Sequence, residues 1–267
     1  MSKTVLITGV SKNIGRSICR KFVKNGYMVI GTYRTEFDDE ELKAKFLAEF
    51  PNTNLYKVDF CNKEEVTTFI DQMKKYQFDV IVNNAGMVSL NGDNVRNEFT
   101  DFDVDSFYDV INCNLIAPTR ISLELKDNIK ENGVIVNISS GAALNAGMAT
   151  ISYNASKAAL TNVGASLSNS FPKYKNKMIR VNNVLPGWID ADTDGAMNMN
   201  EDSIGARALK VTPLGRNGKT SEISDIVYFL TTDEASFING ANISVDGGYS
   251  NFDVIYYEEA TGDLLLK

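Results

Sequence analysis

The chain contains no histidine. That absence removes the Ser-His-Asp type of hydrolase and the imidazole ligands on which many zinc sites depend. Cysteine is nearly as scarce: Cys19, Cys61 and Cys113 are the whole set, with no Cys-x-x-Cys pair among them. They read as reduced, small core residues and not as metal ligands. No uncharged apolar run reaches the length of a membrane span. The opening M-S-K-T-V-L-I-T-G-V has only a short apolar stretch, without the longer apolar region and small-residue cleavage site of a secretory signal. Basic charge is also short, 27 Lys and Arg against 34 Asp and Glu, for a net charge of −7. Nucleic acid and anionic membrane are therefore poor partners. The expected location is cytoplasmic.

What is present suits one large α/β domain: 267 residues with 43% hydrophobic content, enough for a substantial core. Strand candidates are Thr4–Thr8, Tyr27–Tyr33, Leu55–Asp59, Asp79–Asn83, Gly133–Ser139, Met178–Leu185 and Asn242–Val245. Most are continuous apolar runs, the pattern of strands buried on both faces of a parallel sheet. Between them lie amphipathic stretches. The first carries Ile14, Ile18, Phe22 and Val23 on one face and ends at Asn25-Gly26; others are expected over Asp38–Phe50, Lys63–Lys75, Asp103–Lys130, Ser152–Phe171 and Ser221–Thr231. The alternation predicts a doubly wound parallel sheet of seven strands, with right-handed crossovers and helices on both faces. Neither an internal repeat nor a low-complexity linker interrupts it. Residues 1–249 form the expected domain. Pro186–Pro213, weakly periodic and rich in Asp, Asn, Met and Gly, reads as an active-site cover. The tail 250–267 resembles a hairpin turning at Thr261-Gly262.

Two residues carry the chemistry. Tyr153 and Lys157, in Y-N-A-S-K, stack one helical turn apart. An ammonium beside a phenol favours the phenolate and lowers its pKa, which makes the pair a candidate general acid/base. A nucleotide site is also written in the chain. T-G-V-S-K-N-I-G (Thr8 to Gly15) follows the first strand and opens the first helix. There Gly9 and Gly15 let backbone approach a pyrophosphate, and the helix N-terminus offers free N–H donors. Ser11, Lys12, Asn13 and Ile14 complete that loop. At the end of the second strand stand Tyr33 and Arg34, where an acidic residue would mark NAD. Arg34 and Lys12 would instead complement a 2′-phosphate, so NADP(H) is expected over NAD(H). Asp59 closes the third strand, where its carboxylate could take an adenine amino group. N-N-A-G closes the fourth. Asn84, Ala85 and Gly86 are expected at the cofactor, and Asn83 reads mainly as a structural cross-link.

These pieces together resemble the short-chain dehydrogenases/reductases, in the branch with a Tyr-x-x-x-Lys signature. T-G-V-S-K-N-I-G, Asp59, N-N-A-G, I-S-S, Y-N-A-S-K, L-P-G-W-I and I-N-G-A-N-I-S-V-D-G-G stand in family order over about residues 3–249. P-L-G-R (Pro213 to Arg216), followed by Glu222-Ile223 and Phe229-Leu230, resembles the 3-oxoacyl-carrier-protein-reductase-like subset. The resemblance implies a Rossmann-type fold and a catalytic tetrad. Tyr153 would be the acid/base, and Lys157 would lower its pKa and hold the nicotinamide ribose. Ser140 would bind the substrate oxygen, with Ser139 as its rival. Asn114 would anchor a proton-relaying water, with Asn112 as the alternative. Pro186, Gly187 and Ile189 would shape the turn beside the nicotinamide. The implied partners are a small carbonyl or alcohol substrate and further copies of the chain, as a homotetramer or homodimer.

Three positions depart from the family pattern. Asn13 replaces the middle glycine of the cofactor loop, and asparagine tolerates left-handed backbone better than most residues. Ala191 stands where a threonine is common, with Thr193 two residues on. The tail beyond Gly248 is long for the subset and reads as an oligomer contact. Trp188 is left between pocket and packing roles, and Tyr256-Tyr257 reads as packing. The leading function is NADP-dependent hydride transfer to or from a carbonyl/alcohol. A cofactor-binding regulator with little turnover is the alternative. A nucleotide-sugar epimerase or dehydratase is a third reading, for which the chain is short.

Overall fold

The apolar runs Thr4–Ile7 and Val134–Ile138 become strand segments buried throughout, as strands covered from both sides are. The structure, a computed structural model, describes residues 2–88, 102–145, 149–190 and 209–251. Its strands are β1 (Thr4–Ile7), β2 (Met28–Tyr33), β3 (Thr53–Lys57), β4 (Phe78–Asn83), β5 (Ile129–Ile138), β6 (Arg180–Pro186) and β7 (Asn242–Val245). All pair in parallel, in the order β3-β2-β1-β4-β5-β6-β7. The order reverses between β1 and β4. That makes the crevice beyond their carboxyl ends the natural ligand site of a doubly wound sheet.

The helices are α1 (Asn13–Lys24), α2 (Glu40–Glu49), α3 (Lys63–Met73), α4 (Val104–Ile111), α5 (Ala117–Glu124), α6 (Ile151–Ser170) and α7 (Thr220–Phe229). They divide into two layers. Ile18 and Phe22 of α1, Phe46 of α2, and Ile223 and Val227 of α7 pack against Val5, Ile7, Val80, Val82, Val134 and Val136 on one face. Phe69 and Ile70 of α3 and Ile121 of α5 pack against Leu6, Ile81, Ile135 and Val181 on the other. Alternate strand residues thus feed two separate cores.

Several boundaries differ from the sequence expectation. The helix expected over Asp103–Lys130 breaks into α4, a π-helical segment Asn112–Ile116, and α5. It stops at Glu124 because the buried Asn128 pins the following turn, its amide donating to Lys74 O and Tyr76 O at 2.8 Å each. Ile129 then starts β5 opposite Phe78, ahead of a register shift, so Lys130 is strand and not helix. The expected Asp38 helix start moves to Glu40. Asp39 caps α2 by accepting from the N–H groups of Glu41 and Leu42, and Glu36–Asp38 forms its own 3₁₀ turn. β3 ends at Lys57, before Asp59, whose carboxylate turns the chain by accepting from Cys61 N at 2.9 Å. β6 begins at Arg180, since Met178 has φ +55° and cannot open a strand.

Four asparagines tie the carboxyl half of the sheet together. Asn83, Asn137, Asn183 and Asn242 are direct neighbours across β4, β5, β6 and β7. Asn83 Nδ2 donates to Asn137 Oδ1 at 2.8 Å, Asn137 Nδ2 to Asn183 Oδ1 at 3.0 Å, and Asn183 Nδ2 to Asn242 Oδ1 at 2.7 Å. A polar side chain buried in a sheet needs such a partner. Gly164 lets α6 approach this ladder, because a methyl there would overlap the Asn183 carboxamide.

Candidate active site

The loop between β1 and α1 is shaped by its neighbours. Gly9 has φ +72° and donates its N–H to Thr32 Oγ1 on β2 at 2.9 Å. Asn84 Nδ2 reaches over from β4 to Thr8 O and Gly9 O, at 2.8 and 2.9 Å. Thr8 Oγ1 accepts in return from Asn84 N and Ala85 N, both at 2.9 Å. Gly15 packs so closely that a methyl would overlap the Gly9 carbonyl. Asn13, at the position of the usual middle glycine, adopts φ +49°, the left-handed conformation that the substitution requires.

Among the helices that start from a loop, α1 begins differently. Side-chain oxygens of Asp39, Asn62, Asp103 and Thr150 cap α2, α3, α4 and α6, and Glu222 accepts from Lys219 N at the start of α7. Before α1 stands Lys12, which makes no side-chain cap, and no acidic residue occupies the first turn. The N–H groups at this helix start are left to an anion. They open into a cleft of about 260 Å³ at the carboxyl ends of the strands. Gly9, Ser11, Lys12, Asn13, Ile14, Gly15, Arg34, Asp59, Asn84, Ala85 and Gly86 all line it, so the sequence-expected loop, strand-end and N-N-A-G residues meet in one place. The uncapped helix and the glycine cradle fit a dinucleotide pyrophosphate.

The cleft also holds residues that the sequence reading did not select: Thr32, Glu36, Met87 and Cys113. Glu36 matters most. Lys12 Nζ lies 3.0 Å from Glu36 Oε1, so the expected phosphate ligand already has an anionic partner. Burial opposes ionisation of Glu36, but the hydrogen bond from Lys12 and backbone N–H donors outweigh it and hold the carboxyl at about 2. Arg34 stands exposed at the rim with no ion pair among the described residues. The signal for Glu36 was visible as an acid two residues beyond Arg34, although only the fold brings it against Lys12.

The expected catalytic residues cluster where β5 ends and α6 begins. Ser139 and Ser140 follow the end of β5 at Ile138, and Ser140 caps the 3₁₀ turn Gly141–Ala143. Ser139 Oγ donates to Lys157 O at 2.9 Å and packs against Thr161 Oγ1, inside the fold. Ser140 Oγ instead accepts from Ala142 N at 3.1 Å, and its hydroxyl is the group that lowers the Tyr153 phenol. Thr150 caps α6 through Tyr153 N, which fixes the first turn that carries the phenol. Lys157 is 3% exposed, with Nζ donating to Ile138 O at 2.9 Å and lying 5.6 Å from the centre of the Tyr153 ring. The ammonium is therefore beside the phenol ring, with its hydrogen bond directed to backbone. Burial pushes the Tyr153 phenol up while the Ser140 hydroxyl pulls it down. The expected lowering of Tyr153 by Lys157 is thus not the dominant influence here. Burial also lowers Lys157 itself, to about 8.

Asn114 sits inside the π-helical segment, fully buried. Its Oδ1 accepts from Met87 N at 2.9 Å, and its Nδ2 donates to Met87 O and Ser156 Oγ at 2.8 and 3.0 Å. A methyl on Gly86 would stand 3.2 Å from both Asn114 Oδ1 and Lys157 Nζ, so this glycine separates the cleft from the two side chains. A π segment often marks a functional position, and nothing in the local sequence announces one.

Pro186, Gly187 and Ile189 lie on the far side, at the end of β6. Gly187 N donates to Val245 O at 3.1 Å, and Ile189 bridges in parallel to Gly218. They do not line the cleft itself. Trp188 Nε1 is buried without a partner among the described residues. Ala191, Thr193, most of the expected cover and the tail hairpin lie outside the described residues. Among the described residues no helix is long and apolar enough to cross a membrane.

The sheet order, the glycine cradle and the Ser-Tyr-Lys cluster define a nucleotide-binding oxidoreductase architecture. A family model described as enoyl-(acyl carrier protein) reductase matches residues 9–250. The chain is 34% identical over 250 residues to a 3-oxoacyl-[acyl-carrier-protein] reductase FabG of Salmonella typhimurium, covering 92% of this chain and 96% of that protein. It is 31% identical over 255 residues to a 2-dehydro-3-deoxy-D-gluconate 5-dehydrogenase of Pseudoalteromonas atlantica, covering 92% and 95%. The solved structure of ElxO with NADP bound is 30% identical, with a TM-score of 0.79, covering 94% of this chain and all of that one (100%). The chain belongs to the short-chain dehydrogenase/reductase family.

Proposed function

We propose that this protein is an NADP(H)-dependent oxidoreductase that interconverts a small carbonyl compound and its alcohol, with Tyr153 as general acid/base. The observation that carries the reading is the meeting of Ser140, Tyr153 and Lys157 beside a cleft built from the glycine loop and N-N-A-G. The bound nicotinamide would supply or accept the hydride. The protein's own groups hold the substrate and manage the proton. In reduction the phenol starts protonated, the form that burial favours, and gives its proton to the substrate oxygen. The Ser140 hydroxyl donates to that same developing oxyanion, a contact that strengthens as charge builds. Lys157 keeps a positive charge near neutral pH behind the phenol ring and opposes loss of the phenolate's stabilisation. Asn114, joined to Met87 and Ser156, holds the wall on which a relaying water would be bound.

Gly9, Ser11, Asn13, Ile14 and Gly15 would hold the pyrophosphate, and Asp59, Asn84, Ala85 and Gly86 the adenosine side. Pro186, Gly187 and Ile189 would flank the nicotinamide. Preference for NADP(H) rests on Arg34, which is free to take a 2′-phosphate, and on the NADP carried by the ElxO structure. Lys12 joins Arg34 only if it leaves Glu36. Residues 1–249 act as the catalytic domain, and a cytoplasmic homodimer or homotetramer is the working assembly. Exposed Tyr108, Ile116 and Leu123 on the α4–α5 stretch supply apolar surface for such a contact. The cofactor reading is tested by steady-state kinetics over a panel of ketones and 3-oxoacyl thioesters. A higher kcat/KM with NADPH than with NADH is expected, and the reverse order overturns the preference.

A further inference from the structure

Both peptide groups of Tyr153 are held by hydroxyls, and both hydroxyls lead to the same loop. On the amino side, Thr150 Oγ1 accepts from Tyr153 N at 3.3 Å and donates to Val88 O at 3.1 Å. On the carboxyl side, Ser156 Oγ donates to Tyr153 O at 2.7 Å and accepts from Asn114 Nδ2 at 3.0 Å. That same Nδ2 donates to Met87 O at 2.8 Å, while Asn114 Oδ1 accepts from Met87 N at 2.9 Å. Met87 and Val88 are consecutive on the loop after N-N-A-G, and Gly86 and Met87 line the cleft. Thr150 is 3% exposed, and Ser156 and Asn114 are fully buried, so water does not compete for these contacts. Each hydroxyl gives its one proton to a carbonyl and accepts on a lone pair, which fixes its orientation. A helix cap needs only the bond to Tyr153 N. The capping oxygens of Asp39, Asn62 and Asp103 bond within their own first turns alone, among the described residues. Thr150 differs from them by its second bond, which reaches a loop 62 residues earlier.

We propose that Thr150 and Ser156 are positioning residues for proton transfer, which fasten the backbone of Tyr153 on both sides to Met87 and Val88 and so set the phenol against the wall of the cofactor cleft. This rests on the reading that Tyr153 is the general acid/base. Both hydroxyls act through Tyr153. The Thr150 hydroxyl ties the first turn of α6 directly to Val88, and Ser156 ties the next turn to Met87 by way of Asn114. The loop cannot move away from the cleft without breaking these bonds or carrying the start of α6 with it. The place of the phenol relative to the cleft is therefore set by the frame and not by the helix alone. Ser140 and the bond from Lys157 to Ile138 O belong to the end of β5, outside the frame. Valine at position 150 would keep the shape of threonine and lose the hydroxyl. Val88 O and Tyr153 N would each lose that partner, and the phenol would no longer be registered on its amino side. Such a displacement acts on the rate, because proton and hydride must move in one geometry.

The test uses the full chain with NADPH and a ketone that the unsubstituted protein reduces. Thr150→Val should lower kcat and the hydride-transfer rate by about tenfold or more. Its KM for the ketone and its NADPH dissociation constant, by calorimetric titration, should stay within about threefold. Thr150→Ser keeps the hydroxyl and should bring the rate back to within about threefold of the original. Ser156→Ala, which opens the frame from its other end, should lose rate to a similar degree, and it carries the test if Thr150→Val does not fold. Thermal melting accompanies each variant. A lower Tm with kcat unchanged would make Thr150 a helix cap and nothing more. That result, a loss that Thr150→Ser does not restore, or a loss confined to NADPH binding overturns the proposal. Tyr153→Phe separates the two readings. If it keeps its rate, the acid/base assignment falls. If it is inactive while Thr150→Val and Ser156→Ala run at the original rate, only the positioning frame falls.

Discussion

Replacing Lys157 by methionine should stabilise this protein while stopping its turnover. The side chain is 3% exposed, and burial lowers it from 10.5 to about 8. Near neutral pH it is still charged in the folded chain, so the fold carries the cost of burying an ammonium. A displacement of that size corresponds to about 3 kcal/mol against folding. Methionine has a similar length without the charge. It gives up the bond from Nζ to Ile138 O, which returns about 1 to 2 kcal/mol of the gain. The net benefit is about 1 to 2 kcal/mol, a rise of about 2 to 8 °C in Tm for a chain of this size. The sign with pH follows from the direction of the shift. Below about 8 both folded and unfolded lysine are charged, and the penalty is fully present. Between there and 10.5 the folded lysine has lost its proton while the unfolded one keeps it, so the penalty fades and is gone above 10.5. Calorimetric melting of both proteins from neutral to strongly alkaline pH reads this directly. An unchanged or lower Tm for the variant near neutral pH, or an advantage that grows with alkalinity, would refute the reasoning.

Three other outcomes follow from the site and sheet. Glu36→Gln should release Lys12 and tighten NADPH several-fold more than NADH, read by calorimetric titration; equal effects on both cofactors would show that Lys12 does not reach the 2′-phosphate. Asn137→Leu should destabilise by about 2 to 4 kcal/mol in urea unfolding, because Asn183 Oδ1 loses its Asn137 donor and Asn83 Nδ2 loses one of its two acceptors within the sheet. Since burial raises the Tyr153 phenol, the alcohol-oxidising rate should climb into alkaline pH, where the phenolate forms, while carbonyl reduction holds level through neutral pH; an oxidation rate that falls over the same range contradicts that acid/base role.

The sheet was legible because parallel strands covered on both faces must be apolar almost throughout, and six crossovers at strand-helix rhythm leave few other arrangements. Boundaries were less so, wherever one side chain decides them. Asn128 ends the helix expected to run to Lys130, and Asp39 delays α2, yet neither alters the local periodicity. The loop around Gly9 and Gly15 could be read because backbone approach demands glycine in sequence. The asparagine ladder could not, since each member is separated by dozens of residues and only strand register makes them neighbours. Lys12 and Arg34 looked equivalent as cations. Their difference arises from Glu36, which the 3₁₀ turn after β2 carries back to Lys12 alone. Likewise Cys61 meets Met87 from the loops after β3 and β4, which share nothing in sequence.

The central claim is that the Tyr153 phenol moves the proton that accompanies hydride transfer. Stopped-flow absorbance at the NADPH band, with a ketone that the unsubstituted protein reduces, tests it in Tyr153→Phe. Cofactor binding within a few-fold of the unsubstituted protein, with the hydride-transfer rate reduced by about 100-fold or more, is the expected result. A variant that binds NADPH and oxidises it at close to the original rate would contradict the account.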